Sequence, residues 1–164
     1  MFRPKPINNK TERGFSLIEI AIVLLVIAIA AAFLVPQALA YIRMYKLGVG
    51  GQNVATALQR ARFLATSNNT RAGVSMPESL QVLIQQYDPA GKAEPQLKGI
   101  AQLPSGVSIA SDAPKQIAFD GRGVVTPMPK ENLSIRLNGP RGYYLFVTIS
   151  PTGQVTVSEA KQDK

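Results

Sequence analysis

Glu19 is the residue of this chain whose surroundings most demand a chemical explanation. It lies in the run 15–42, FSLIEIAIVLLVIAIAAAFLVPQALAYI, which holds no other charged residue and no polar residue from Ile20 to Val35. A carboxylate at the centre of a bilayer costs roughly 2.5–3.5 kcal/mol on insertion scales. Near one end of the run the cost is smaller, but a partner charge is still expected. Severing the bond between Gly14 and Phe15 would supply one. The new α-amine of Phe15 falls about one helical turn from Glu19. It can meet the carboxylate of its own chain or of a neighbour. In the second case one carboxylate docks one amine, and Glu19 sets register during assembly. Gly14 suits a cut at that bond, because a side chain there would crowd a peptidase cleft and restrict the backbone.

The rest of the chain offers little to a catalyst. It has no Cys and no His among its 164 residues. That removes disulfides, thiolate nucleophiles, thiolate or imidazole metal sites and the usual general base. There is no Gly-rich phosphate loop and no carboxylate series spaced as a calcium loop. Ser16 lies near Glu19 but has no base to activate it. The expectation is a substrate of an enzyme rather than an enzyme, without cofactor or metal.

The elements around Glu19 follow from hydropathy and charge. A helix over 15–42 would be about 40 Å long at about 1.5 Å per residue, enough to cross a bilayer. The preceding residues Arg3, Lys5, Lys10 and Arg13, against Glu12, make the leader 1–14 basic. The positive-inside rule then keeps the N-terminus cytoplasmic and sends the C-terminal domain across the membrane. Two other readings of such a run are a permanent signal anchor and a secretory signal peptide cut after Ala38-Leu39-Ala40. The apolar run is longer than the usual core of a signal peptide, and neither reading explains Glu19.

The stretch Glu12-Arg13-Gly14-Phe15-Ser16-Leu17-Ile18-Glu19, with its basic leader and long apolar run, resembles the class III signal of type IV prepilins and pseudopilins. The resemblance implies that a membrane-embedded prepilin peptidase and methyltransferase cuts after Gly14 and methylates Phe15. Glu19 becomes the fifth residue of the mature chain, the family's assembly glutamate. It also implies partners: other pilins or pseudopilins through the N-terminal helix, and an inner-membrane assembly platform. Pro36 fits the family as well. A proline inside a helix removes one hydrogen bond and kinks the axis, and in related filaments the helix melts locally after such a proline. Gly48, Gly50 and Gly51 would weaken the helix further. Pro36 also suits a membrane exit.

Beyond Tyr41 an amphipathic helix is expected to about Ser67. Leu47, Gly51, Val54, Leu58, Ala61 and Ala65 recur at steps of four and three and share one face. Lys46, Asn53, Thr56 and Arg60 lie opposite, and Asn68-Asn69 should end the helix. After residue 70, short alternating runs are punctuated by Gly and Pro. Strands are expected near Ala72–Ser75, Gln81–Tyr87, Val107–Ala110, Gln116–Phe119, Val124–Thr126, Leu133–Leu137, Tyr143–Ser150 and Gln154–Ser158. Turns fall at Asp120–Gly123 and Pro151–Gly153, and an exposed loop at Asp88–Leu97. The fold class is α+β, one long helix on a mainly antiparallel sheet, in the order of the pilin fold. The expected divisions are the cleaved leader 1–14, the transmembrane and assembly half of the helix 15–42, its amphipathic half 43–70 and a β-rich domain 71–164.

The C-terminal half resembles the H-type pseudopilins and T-type fimbrial minor pilins (GspH/FimT). Gln59-Arg60-Ala61-Arg62, the run Ile117–Gly123 and the run Phe146–Val155 carry that likeness. It implies a minor subunit that initiates or caps a type IV pilus or a type II secretion pseudopilus, located first in the inner membrane and periplasm. The alternatives are a DNA-binding minor pilin of an uptake pilus and a major fibre-forming pilin. The net charge is +8, of which residues 43–164 carry 14 basic against 8 acidic groups. Lys115, Arg122, Lys130, Arg136 and Arg141, with Tyr143 and Tyr144 nearby, are candidates for phosphate contact if they converge. Many family members continue the last turn as Gly-Arg-Val, and some T-type members bind DNA there. This chain has Gln154 at that place.

Overall fold

A computed structural model of the chain describes residues 15–87 and 95–163. The leader with Gly14, and residues 88–94 of the expected loop, lie outside them. The chain divides into two compact units, Met1–Leu39 and Ala40–Lys164.

The first unit is the start of a single long helix, α1, assigned over Leu17–Ser67. Its backbone begins with the Ser16 carbonyl accepting the N–H groups of Glu19 at 3.0 Å and Ile20 at 3.2 Å. Every described side chain from Phe15 to Leu39 is exposed. This segment is long and apolar enough to cross a membrane, and none of it is buried within the chain. A helix that is apolar all round must be covered by lipid or by other protein. Pro36 lies inside the helical stretch.

The second unit opens with the remainder of α1, and the expected face is the buried one. Leu47, Gly51, Val54, Leu58, Ala61 and Ala65 are all buried, while Thr56 and Arg60 are exposed. Gly48, Gly50 and Gly51 do not interrupt the helix; Gly48 has open space beside it, whereas the second sheet closes on Gly51. A Cβ at Gly51 would come within 3.0 Å of Val157 and 3.1 Å of Leu145, so close approach explains the residue. The helix stops after Ser67, and Asn69 takes a left-handed φ of 48°, as an asparagine at a helix end readily does.

Among the described residues ten strands follow: β1 Ala72–Glu78, β2 Gln81–Gln86, β3 Gln96–Gln102, β4 Ser108–Ile109, β5 Gln116–Phe119, β6 Val125–Thr126, β7 Leu133–Asn138, β8 Tyr143–Ile149, β9 Val155–Val157 and β10 Lys161–Gln162. They form two antiparallel sheets. The first has the order β3-β2-β1-β5-β6, the second β10-β8-β7-β4, with β9 beside the later part of β8. Alternation along β8 buries Leu145, Val147 and Ile149. These side chains join Leu47, Val54 and Leu58 of the helix and Val74, Val82 and Phe119 of the first sheet in one core.

Two strands depart from expectation. Gln96 and Leu97, read as the end of a loop, begin β3, and the C-terminal residues Lys161–Gln162 pair with Tyr143 and Tyr144. β3 reads Gln-Leu-Lys-Gly-Ile-Ala-Gln, nearly free of β-branched residues, so its strand state comes from pairing with β2 rather than from propensity. β10 is two polar residues long and has no pattern to detect.

Candidate functional site

The first candidate site is the helix start. Glu19 stands in the first turn of α1 and is exposed. Ser16-Leu17-Ile18-Glu19 has the spacing of a capping box, Ser at the cap and Glu three residues on. The unsatisfied N–H groups of a first helical turn favour a negative side chain. That feature went unread in the sequence, although the motif was present. It reduces the cost of a carboxylate at this end of an apolar helix without giving it a partner charge.

The basic residues do not gather. Lys115 precedes β5, and its carbonyl accepts the Met76 N–H at 2.8 Å. Arg122 sits in the β5–β6 turn and is paired with Asp120 at 3.0 Å. Lys130 is exposed between β6 and β7. Arg136, on β7, is paired with Asp163 at 2.6 Å and stacks 4.4 Å from the Tyr144 ring centre. Arg141 occupies the short 3-10 turn Pro140–Gly142 before β8. Gly139, next to that turn, packs on Leu47, whereas Gly123, next to Arg122, packs on Arg62. Those two helix positions are about 22 Å apart at about 1.5 Å per residue. Arg122 and Arg141 therefore lie at opposite ends of the unit, and two of the five charges already have carboxylate partners.

The structure instead brings together the three stretches singled out in the C-terminal half. Arg62 projects from α1 between the two sheets' turns. Its Nε donates to the Gly123 carbonyl at 3.0 Å and its terminal nitrogen to the Thr152 carbonyl at 3.2 Å. The Val125 N–H donates to Pro151 O at 3.1 Å and links the same two turns. Gly123 and Gly153 both hold left-handed φ angles, 79° and 82°, which glycine adopts without penalty. A guanidinium fits this place because its planar fork can serve two carbonyls at once. Sequence reasoning picked out the three stretches without seeing that Arg62 joins them; its place beside the buried Ala61 was the available signal.

Asp120 organises the first of these turns. Its Oδ1 accepts the N–H groups of Arg122 and Val124, each at 2.9 Å, and its Oδ2 accepts the Arg122 guanidinium. The Val124 N–H, foremost, holds the carboxyl below its ordinary value of 3.8; partial burial opposes this and Arg122 supports it. A depressed folded-state pKa means that the unfolded chain binds the proton more tightly. The stabilisation is then complete above the ordinary value and is lost as pH falls through the lowered one. Urea midpoints of the parent and Asp120→Asn are expected to differ near neutral pH, to begin to approach below about pH 4, where the unfolded carboxyl protonates, and to converge only below the lowered folded-state value.

Comparison with known proteins agrees with this geometry. The profile of the family described as Type II transport protein GspH matches residues 51–153. The chain belongs to the GspH family. The span of the GspH match contains Arg62 and both turns it fastens, and it ends at Gly153. A second profile, the prokaryotic N-terminal methylation motif, matches residues 9–35. No curated protein matches the chain. Among solved structures, the type IV minor pilin FimU of Pseudomonas aeruginosa is similar, with a TM-score of 0.58 at 14% identity over 73% of this chain and 95% of that one. The minor pseudopilin EpsH from the type 2 secretion system of Vibrio cholerae has a TM-score of 0.54 at 15% identity, over 70% of this chain and 97% of that one. At such identities the likeness is one of fold: a long helix on antiparallel sheets, the pilin fold.

Proposed function

We propose that this GspH-family chain is the precursor of a minor pilin or pseudopilin. Prepilin peptidase cuts it after Gly14 and the new N-terminus, Phe15, is methylated. The helix 15–42 holds the subunit in the inner membrane with the leader in the cytoplasm and the domain in the periplasm. It then carries the subunit into a type IV pilus or type II secretion pseudopilus, where the subunit initiates or caps the filament. Pro36 supplies a point at which the helix can bend or loosen during packing.

The observation that carries the reading is Glu19, the one charge in the exposed apolar stretch from Phe15 to Leu39, one turn from the bond that the methylation motif brackets. A minor rather than a major subunit is supported by the likeness to a minor pilin and a minor pseudopilin. DNA uptake is the weaker reading, because Lys115, Arg122, Lys130, Arg136 and Arg141 are dispersed and Gln154 replaces the arginine of the family's DNA-binding turn.

Mass spectrometry of the protein recovered from cells tests the processing. The expected chain begins at N-methylated Phe15. A chain that still begins at Met1, or begins beyond Ala40, would overturn the proposal.

A further inference from the structure

We infer that the end of the globular unit around Tyr41–Leu47, where the chain enters it, carries a basic collar that binds the headgroups of anionic phospholipids and holds the domain on the membrane until assembly. The inference rests on the reading of 15–42 as a membrane span.

The apolar run ends at Ile42, and Arg43 and Lys46 follow at once. Tyr41 and Tyr45 alternate with them along the chain, 74% and 73% exposed. Tyrosines and long basic side chains are the residues that settle at headgroup level, their stems in the apolar layer and their polar tips in water. The fold returns to this level from remote parts of the sequence. A Cβ at Gly139 would lie 3.2 Å from the Leu47 side chain, which seats the turn of the exposed Arg141 beside the same stretch of helix. Lys46 Nζ reaches Ser105 Oγ at 3.1 Å, and Gly106 packs against Pro140. β10 places Lys161 opposite Tyr144, and the Asp163 N–H donates to Gly142 O at 3.0 Å.

Among the described residues, Arg43, Lys46, Arg136, Arg141 and Lys161 thus share this end with two acidic residues, Asp163 and Glu159. Asp163 is engaged by Arg136 at 2.6 Å, and Glu159 borders a cavity with Met44 and Gly48. The balance is positive, and its place decides the ligand. Attraction to an anionic leaflet decays over a Debye length of about 8–10 Å. The collar begins at the residue after the apolar run, while the Arg122 turn, packed on Arg62, is about 28 Å farther along the helix. Arg141 and Lys161 add to the two juxtamembrane cations a second pair that only folding brings there.

The test uses the full-length chain in nanodiscs of phosphatidylcholine alone or mixed with phosphatidylglycerol, read by hydrogen–deuterium exchange. Protection at 139–143 and 160–163 is expected to be about tenfold higher with phosphatidylglycerol, at about fivefold per cation near an anionic surface less some screening. Salt at about 1 M, where the Debye length is about 3 Å, should abolish the difference. Arg141→Gln/Lys161→Gln should remove most of it. The charge-matched Lys98→Gln/Lys130→Gln, at sites away from the collar, should keep it. Equal protection in both lipids in the parent chain overturns the collar alone, as does equal loss in the two double variants. A chain that enters neither nanodisc overturns the membrane span and the collar with it.

Discussion

Glu19→Val is expected to leave cleavage after Gly14 and membrane insertion intact while lowering recovery of the subunit in sheared filaments or pseudopili by on the order of tenfold or more. A hydrogen bond to a charged group contributes about 1.5–3 kcal/mol, and each 1.4 kcal/mol is about tenfold in an equilibrium. Valine removes the carboxylate from an otherwise apolar, exposed helix, so retention in the membrane is not impaired. Under the proposed docking role, what is lost is the partner for the amine of an adjacent subunit. Glu19→Gln separates that role from support of the helix start. Glutamine keeps a polar acceptor at the third helical position but carries no charge, and the macrodipole term it forfeits is only about 0.3–1 kcal/mol. A Gln variant as deficient as the Val variant assigns the effect to the charge. Normal incorporation of both would contradict the docking role.

Gly153→Val should be the most damaging single change within the globular unit. The position holds φ 82°, and a Cβ there would collide with the Gly123 carbonyl and approach Arg62 Nε to 2.9 Å. Forcing a β-branched residue into the left-handed region costs about 1–3 kcal/mol. Displacing the Arg62 guanidinium from the part-buried Gly123 carbonyl adds about 1–3 kcal/mol more. Against a total stability of about 5–15 kcal/mol, such a loss lowers the urea midpoint severely or prevents accumulation of the protein. Gly48→Ala is the contrasting case. That glycine is helical with nothing within 4 Å of its would-be Cβ, and alanine should stabilise by about 0.5–1 kcal/mol. Equal unfolding midpoints for Gly153→Val and the parent would show that the two turns can rearrange without Arg62.

The sequence made the helix legible because its two halves obey different rules. From Phe15 to Ile42 composition alone suffices, and from Leu47 to Ala65 the three-and-four spacing marked the buried face residue by residue. β8 was equally plain, since Leu145, Val147 and Ile149 alternate along a single strand. β3 was hidden because Lys98, Gly99 and Ala101 are poor strand formers held in place by partners far away in sequence. The basic residues misled for a related reason. Charge is read easily, but convergence is a property of topology, and the two sheets carry Arg122 and Arg141 to opposite ends. Arg62 is the reverse case: an unremarkable cation on the border of a helix face whose importance lies in carbonyls contributed by two distant turns.

The fastening by Arg62 has a mechanical consequence. One carbonyl belongs to the β5–β6 hairpin of the first sheet and the other to the β8–β9 hairpin of the second. Tension applied along α1 is therefore shared between both sheets, and neither is peeled away strand by strand. A filament subunit hauled by its helix would yield only when both layers let go together, so loss of the Arg62 side chain should lower the rupture force of the domain.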